Sequence, residues 1–129
     1  MVEIIHKLNL ILQALLVNPI MAEYDQDGWH IRKYANGRAD CKKVIDDTVQ
    51  LTGMWGSTLV ASSSILSQAL PITLTDADCQ ITARGSSGNV WVTEQYVEGS
   101  FIKYKISSFA QSLTDLTVRA TIRVTGRWK

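Results

Sequence analysis

Hydrophobic positions change period once along the chain, and the change falls at Pro19. Before it, between Val2 and Val17, Ile5, Leu8, Leu12 and Leu15 follow the three-four-three spacing of a helical seam, while Ile4, Ile11 and Leu16 widen the apolar stripe. Glu3, Lys7, Asn9 and Gln13 supply the polar side. Pro19 ends the helix, because it lacks an amide hydrogen and restricts the residue before it. A lone helix of about sixteen residues is marginal in water, so this one must bury its apolar face. It can fold back on its own domain or meet identical helices. A stripe wider than a two-helix seam fits three or more copies better, which makes Ile5, Leu8, Leu12 and Leu15 the candidate oligomerisation residues and residues 1–20 an N-terminal oligomerisation unit.

From Tyr24 onward the pattern alternates instead, predicting residues 21–129 to be an antiparallel β domain. Trp29–Tyr34 and Ala39–Ile45 flank Asn36-Gly37, the strongest short hairpin signal in the chain. A two-residue type I′ turn there would set Lys33 opposite Asp40 and Arg32 opposite Cys41. In Thr117–Val124, Val118, Ala120, Ile122 and Val124 point to one face, and Thr117, Arg119, Thr121 and Arg123 to the other. Cys79–Arg84, Val90–Val97 and Phe101–Ile106 are further strands, joined by turns at 85–89 and 98–100. Gln50–Leu59 and Ile65–Leu74 are weaker candidates, and Ala61–Ser64 reads as a loop. Many short strands at this spacing predict a mainly β fold, an antiparallel sandwich of jelly-roll-like form.

Composition narrows the partners. Thirteen basic side chains against 12 acidic ones leave a net charge of +1, which creates no global field toward nucleic acid or an anionic membrane. The apolar run Leu8–Val17 is too short to span a bilayer, which takes about 20 residues, and lacks the flanks of a signal peptide. Cys41 and Cys79 are too few for a disulfide scaffold and lack the close spacing of a zinc clip, so both read as reduced and buried.

Catalytic chemistry finds little footing. Asp25 and Asp27 with Gly28 resemble a fragment of a calcium loop, but the remaining ligand positions and the closing glutamate are missing, so this set, like Asp46 with Asp47 and Asp76 with Asp78, reads as turn caps rather than metal ligands. No carboxylate pair is set by the sequence across a cleft, as glycoside hydrolysis requires. His6 and His30 lie on different elements, and Gly85–Gly88 lacks the lysine of a phosphate loop. These readings predict no enzyme, no metal and no cofactor. Trp55, Trp91, Tyr96 and Tyr104 could stack on sugars, although such rings more often fill a core or a subunit seam. Arg119, Arg123, Arg127 and Lys129 form a local basic patch that could bind an anion, with pairing to acidic side chains between subunits as the plainer account.

Two segments carry a family likeness. Gly28–Cys41 (GWHIRKYANGRADC) and Val124–Lys129 (VTGRWK) resemble the opening and closing signatures of a C-terminal domain in bacteriophage fibre, appendage and baseplate proteins. Trp29, Ile31, Arg32, Lys33, Tyr34, Gly37, Ala39 and Cys41 occupy the first motif, and Gly126, Arg127, Trp128 and Lys129 the second, with Trp55-Gly56 similar to an internal Trp-Gly of that family. Lys42 stands where the family commonly has an aromatic residue. The resemblance implies a homotrimeric β-sandwich, located in the virion, whose motifs are structural and not catalytic. It implies assembly with itself and with other virion proteins, and adhesion to host-surface carbohydrate, without cofactors, nucleic acid or membrane insertion. The alternatives are a purely structural decoration protein and a polysaccharide-acting hydrolase. With the hairpin occupied in making the fold, a receptor site is expected on the loops at Ser86, Asn89 and Glu98, where sequence can vary without breaking the sheet.

Overall fold

The computed structural model describes residues 2–17, 19–55, 60–85, 90–109 and 113–129. Helix α1 spans Val2–Val17, as its periodicity predicts. Strands β1 (Ile20–Gln26), β2 (Trp29–Tyr34), β3 (Arg38–Leu51), β7 (Thr75–Gly85) and β10 (Leu113–Arg127) form one antiparallel sheet in the order β1-β2-β3-β10-β7. The second sheet is built around β9 (Phe101–Phe109). Strand β8 (Val90–Glu98) pairs along one edge of β9, and β5 (Val60–Ser62) and β6 (Leu66–Ala69) pair with it at separate stretches, with β4 (Gly53–Trp55) beyond β5.

The two sheets enclose one core, giving a mainly β, sandwich-like architecture after the helix. Alternation on β10 holds throughout its predicted segment: Val118, Ala120, Ile122 and Val124 are buried, and Thr117, Arg119 and Arg123 are exposed. Facing them from the second sheet are Ile102, Tyr104 and Ile106 of β9. Trp29 is fully buried and ties the layers together, its indole Nε1 donating to the Ala69 carbonyl at 2.9 Å.

Several expectations are corrected. β1 begins at Ile20, ahead of the strand signal at Tyr24, and its turn to β2 is Asp27-Gly28, where both residues have positive φ (53° and 83°), the type I′ requirement. At Asn36-Gly37 only Gly37 has positive φ (89°), so the turn is not type I′. The Gly37 amide instead donates to the Tyr34 carbonyl at 3.0 Å across Ala35 and Asn36, and Asn36 Oδ1 accepts the Arg38 amide. A turn one residue longer shifts the register: Arg32 lies opposite Asp40, Lys33 opposite Ala39 and Ile31 opposite Cys41. With that shift Cys41 shares the core face with Ile31 in place of Arg32, and Arg32 and Asp40 share the outer face, because a one-residue slip exchanges the faces that two strands have in common.

The serine stretch is also less loop-like than its composition suggests. Ala61 and Ser62 belong to β5, and Ser62 and Ser63 are buried. The Ser63 hydroxyl accepts the Ile106 amide at 3.0 Å and its own amide donates to the Ile106 carbonyl at 2.8 Å, so the polar atoms are satisfied by the edge of β9.

Candidate functional site

The two signature segments meet. The Trp128 amide donates to the Gly37 carbonyl at 2.9 Å, and its indole Nε1 donates to the Tyr34 carbonyl at 3.1 Å. Lys33 places its ammonium 5.4 Å from the Trp128 ring and 5.5 Å from the Tyr24 ring. Glycine relieves close approaches at two points of this closure. A Cβ on Gly37 would come within 3.2 Å of the Lys129 carbonyl oxygen at a left-handed φ, and one on Gly126 would come within 3.1 Å of the Thr75 carbonyl oxygen. Lys33, Tyr34, Gly37, Gly126 and Trp128 thus lie in contacts that bring the hairpin, the last strand and the start of β7 together, Trp29 is buried between the sheets, and Arg127 lies exposed.

The expected receptor loops are only partly in view. Ser86 and Asn89 lie outside the described residues, as do Gly56 and Gly88. Glu98 ends β8, exposed, and pairs with Lys103 Nζ at 3.0 Å. Of the helical residues, Ile5 and Leu8 are 53% and 54% exposed, as are Val2 and Ile4 beside them at 80% and 62%. Leu12 and Leu15 lie within α1, with side chains outside the description. Tyr104 is buried in the core, where desolvation raises its pKa above the ordinary value, so it offers no face to a sugar. Trp91 and Tyr96 are half-buried on β8.

The remaining chemistry lies on the outer face of the first sheet, where register sets side chains in rows across the strands. One row runs Glu23, Arg32, Asp40, Thr125 and Asp78. The next runs Asp25, His30, Lys42, Arg123 and Gln80. A third holds Asp46, Arg119 and Arg84. Between the first two rows is a concavity of ≈ 600 Å³, lined by His30, Arg32, Asp40, Lys42, Arg123 and Thr125 together with Cys41 and Val124, whose side chains are buried in the core.

Most charges of this face are matched within the chain. His30 contacts Asp25 Oδ1 through Nδ1 at 2.6 Å and Glu23 Oε1 through Nε2 at 2.9 Å; two acceptors are both satisfied only by the imidazolium, and the His30 pKa is accordingly raised, first by Asp25 and then by Glu23. Arg32 Nε donates to Glu23 at 3.0 Å, and the hydrogen bonds from His30 and Arg32 lower the Glu23 pKa. Arg119 grips Asp46 with two bonds of 2.8 and 3.0 Å. The basic patch expected at the end of the chain is thus divided: Arg119 is neutralised by its neighbour on β3, and Arg123 forms no ion pair among the described residues.

The acidic sets bind no common centre. Asp25 serves His30, Asp46 serves Arg119, and Asp47 Oδ1 accepts the Thr48 amide at 2.8 Å. Among the described residues no three His, Cys, Asp or Glu side chains converge on a possible metal position, and no helix is long and apolar enough to cross a membrane. Cys41 and Cys79 are free and buried, as expected. They flank Val124 from opposite neighbouring strands, about two strand spacings or roughly 10 Å apart, which no disulfide spans.

Sequence reasoning named Arg123 but did not join it to Lys42. Alternation along β10 sets Arg123 apart from the core positions, while Lys42 enters only as a departure from the family motif; their adjacency depends on the pairing of two strands far apart in the chain.

No family model matches this chain, and no curated protein matches it. Among solved structures there is a distant similarity to pyocin tail fibres. An R1 pyocin fibre of P. aeruginosa, comprising C-terminal residues of that protein, aligns with TM-score 0.48 and 11% identity over 84% of this chain and 29% of that one. An N-truncated R1-type pyocin tail fibre aligns with TM-score 0.45 and 9% identity, over 82% of this chain and 87% of that one. The chain therefore spans less than a third of the first of these structures, and both similarities lie below the level that marks a shared topology.

Proposed function

We propose that this chain is a non-enzymatic fibre or appendage module of a bacteriophage particle, assembled as a homotrimer through α1 and adhering to host-surface glycans through its β domain. The observation that carries the reading is the apolar side of α1. Val2, Ile4, Ile5 and Leu8 are more than half exposed in the single chain, an arrangement that identical helices packed around an axis would bury. The likeness of GWHIRKYANGRADC and VTGRWK to fibre-domain signatures agrees with it, and so does the way those segments close on each other through Trp128, Tyr34 and Gly37. Such a closure is a structural device, which leaves the sheet faces and turns for contact with a receptor.

Full-length protein tests the reading by its retention on immobilised bacterial surface polysaccharides. Saturable retention without release of reducing ends supports an adhesion module. A stable trimer that binds no glycan points to a decoration protein, and release of reducing ends that is lost on replacing one carboxylate points to a hydrolase.

A further inference from the structure

The like-charge pair at the centre of the outer face stands unresolved. Lys42 of β3 and Arg123 of β10 are directly opposed, so their side chains start about 5 Å apart on the same face, an arrangement that destabilises a sheet unless something neutralises it. The same strands show how this chain neutralises such a pair elsewhere. Arg119 also faces an arginine, Arg84 of β7, but the third member of that row is Asp46, which takes Arg119 in a two-bond fork. In the row of Lys42 and Arg123 the flanking residues are His30 and Gln80. His30 is a cation already committed to Asp25 and Glu23, and Gln80 carries no charge. Among the described residues neither Lys42 nor Arg123 forms an ion pair, whereas Arg32, Lys103 and Arg119 do.

The pair lines the ≈ 600 Å³ concavity, so an incoming group reaches both cations at once. Asp40 and Thr125, opposed to each other in the adjacent row, supply an acceptor and a hydroxyl at the rim. Among the described residues no Trp, Tyr or Phe ring lines the concavity, and the His30 imidazole is held by Asp25 and Glu23, so the stacking on which recognition of a neutral sugar commonly rests has no platform there. Two free cations with polar neighbours fit a ligand that combines an anionic group with hydroxyls.

We propose that this concavity is a subsite for an acidic sugar unit of a glycan, its carboxylate or phosphate held between Lys42 and Arg123 and its hydroxyls met by Asp40 and Thr125. The assignment rests on the adhesion reading above and names its ligand class. An anion placed there receives charge-assisted hydrogen bonds from both side chains and cancels their repulsion. The free protein holds the two cations together at a cost in stability that ligand binding removes.

The test is calorimetric titration of the full-length protein with hexagalacturonate as the carboxylate probe, a phosphorylated oligomannose as the phosphate probe and maltohexaose as the neutral one. At least one acidic probe is expected to bind, more weakly as salt rises, and the better of the two identifies the anionic group. Lys42→Gln and Arg123→Gln are each expected to weaken it about tenfold or more, while Arg84→Gln on the same face leaves it unchanged. Lys42→Gln should also unfold no earlier than the parent, which separates lost binding from lost folding. Acidic-probe affinity that is unchanged in both glutamine variants overturns the assignment. So does binding of maltohexaose alone, although that result keeps the adhesion reading. Phosphate ion binding without either acidic oligosaccharide overturns the sugar assignment, and loss of oligomer in Lys42→Gln overturns it in favour of a contact between copies.

Discussion

Replacing Trp128 with alanine should loosen the closure between the hairpin and the last strand by an amount that can be assembled from its contacts. The indole donates one part-buried hydrogen bond to the Tyr34 carbonyl, worth about 1 kcal/mol. Lys33 and Lys129 lie 5.4 and 5.9 Å from the ring centre. At exposed positions such contacts contribute about 0.5 kcal/mol each. The half-buried ring removes on the order of 100 Å² from water, roughly 2.5 kcal/mol before allowance for a compact unfolded chain. Because these contributions share one side chain and the unfolded reference is not fully extended, a net loss of about 2–3 kcal/mol is expected. Trp128→Phe keeps a ring under Lys33 and the amide bond to Gly37, so it should lose only about 1 kcal/mol. Urea unfolding at one fixed protomer concentration measures both, since the concentration of an oligomer shifts its midpoint. If Trp128→Ala unfolds within about 0.5 kcal/mol of the parent, the closure contributes nothing and the reasoning fails.

Two further outcomes follow from the titrating groups. His30 has a raised pKa in the folded chain, so its contribution is fully present below its ordinary value of 6.5 and is lost as pH rises through the higher folded value. Glu23 has a lowered pKa, so its contribution is fully present above 4.5 and is lost as pH falls through the lower folded value. Their linked contribution to stability should therefore be greatest between those two ordinary values, and His30→Gln should flatten the alkaline limb of the pH–stability profile; a parent and variant with superimposable limbs would contradict the pairing. The Cys41 thiol, pushed up to about 11 first by burial and then by Asp40, should resist alkylation at pH 8 until the protein unfolds, and mass spectrometry of the folded protein should show no bond to Cys79. Rapid modification of Cys41 in the native protein would place it outside the core.

Local pattern was enough for α1 and the longer strands, and insufficient for β1, for the serine-bearing strand β5 and for the register. Helix α1 was legible in full because its apolar residues repeat at helical spacing up to a proline, and β10 was legible because strict alternation survives over its predicted length. Alternation does not reveal how a turn is closed. Asn36-Gly37 resembles a two-residue turn in sequence, yet only Gly37 takes the left-handed conformation, and the added residue moves Arg32 opposite Asp40. Asp27-Gly28 makes the two-residue turn instead, though its neighbouring aspartates suggested calcium or capping. The Lys42–Arg123 concavity was the least legible feature. It arises from pairing between β3 and β10, and residues so far apart in sequence acquire a shared face only once the sheet is assembled.

The most direct test of the account is the absolute mass of the full-length protein in solution, by light scattering after gel filtration, beside an Ile5→Glu/Leu8→Glu variant. Both residues are exposed on α1 in the single chain, so charging them leaves the β domain's own core untouched. A trimer of about three times the 14.3 kDa chain, falling to the single-chain mass in the variant with its β-sheet circular dichroism intact, is the predicted result. A parent that runs at the mass of one chain, or a trimer indifferent to both charges, contradicts assembly through the helix.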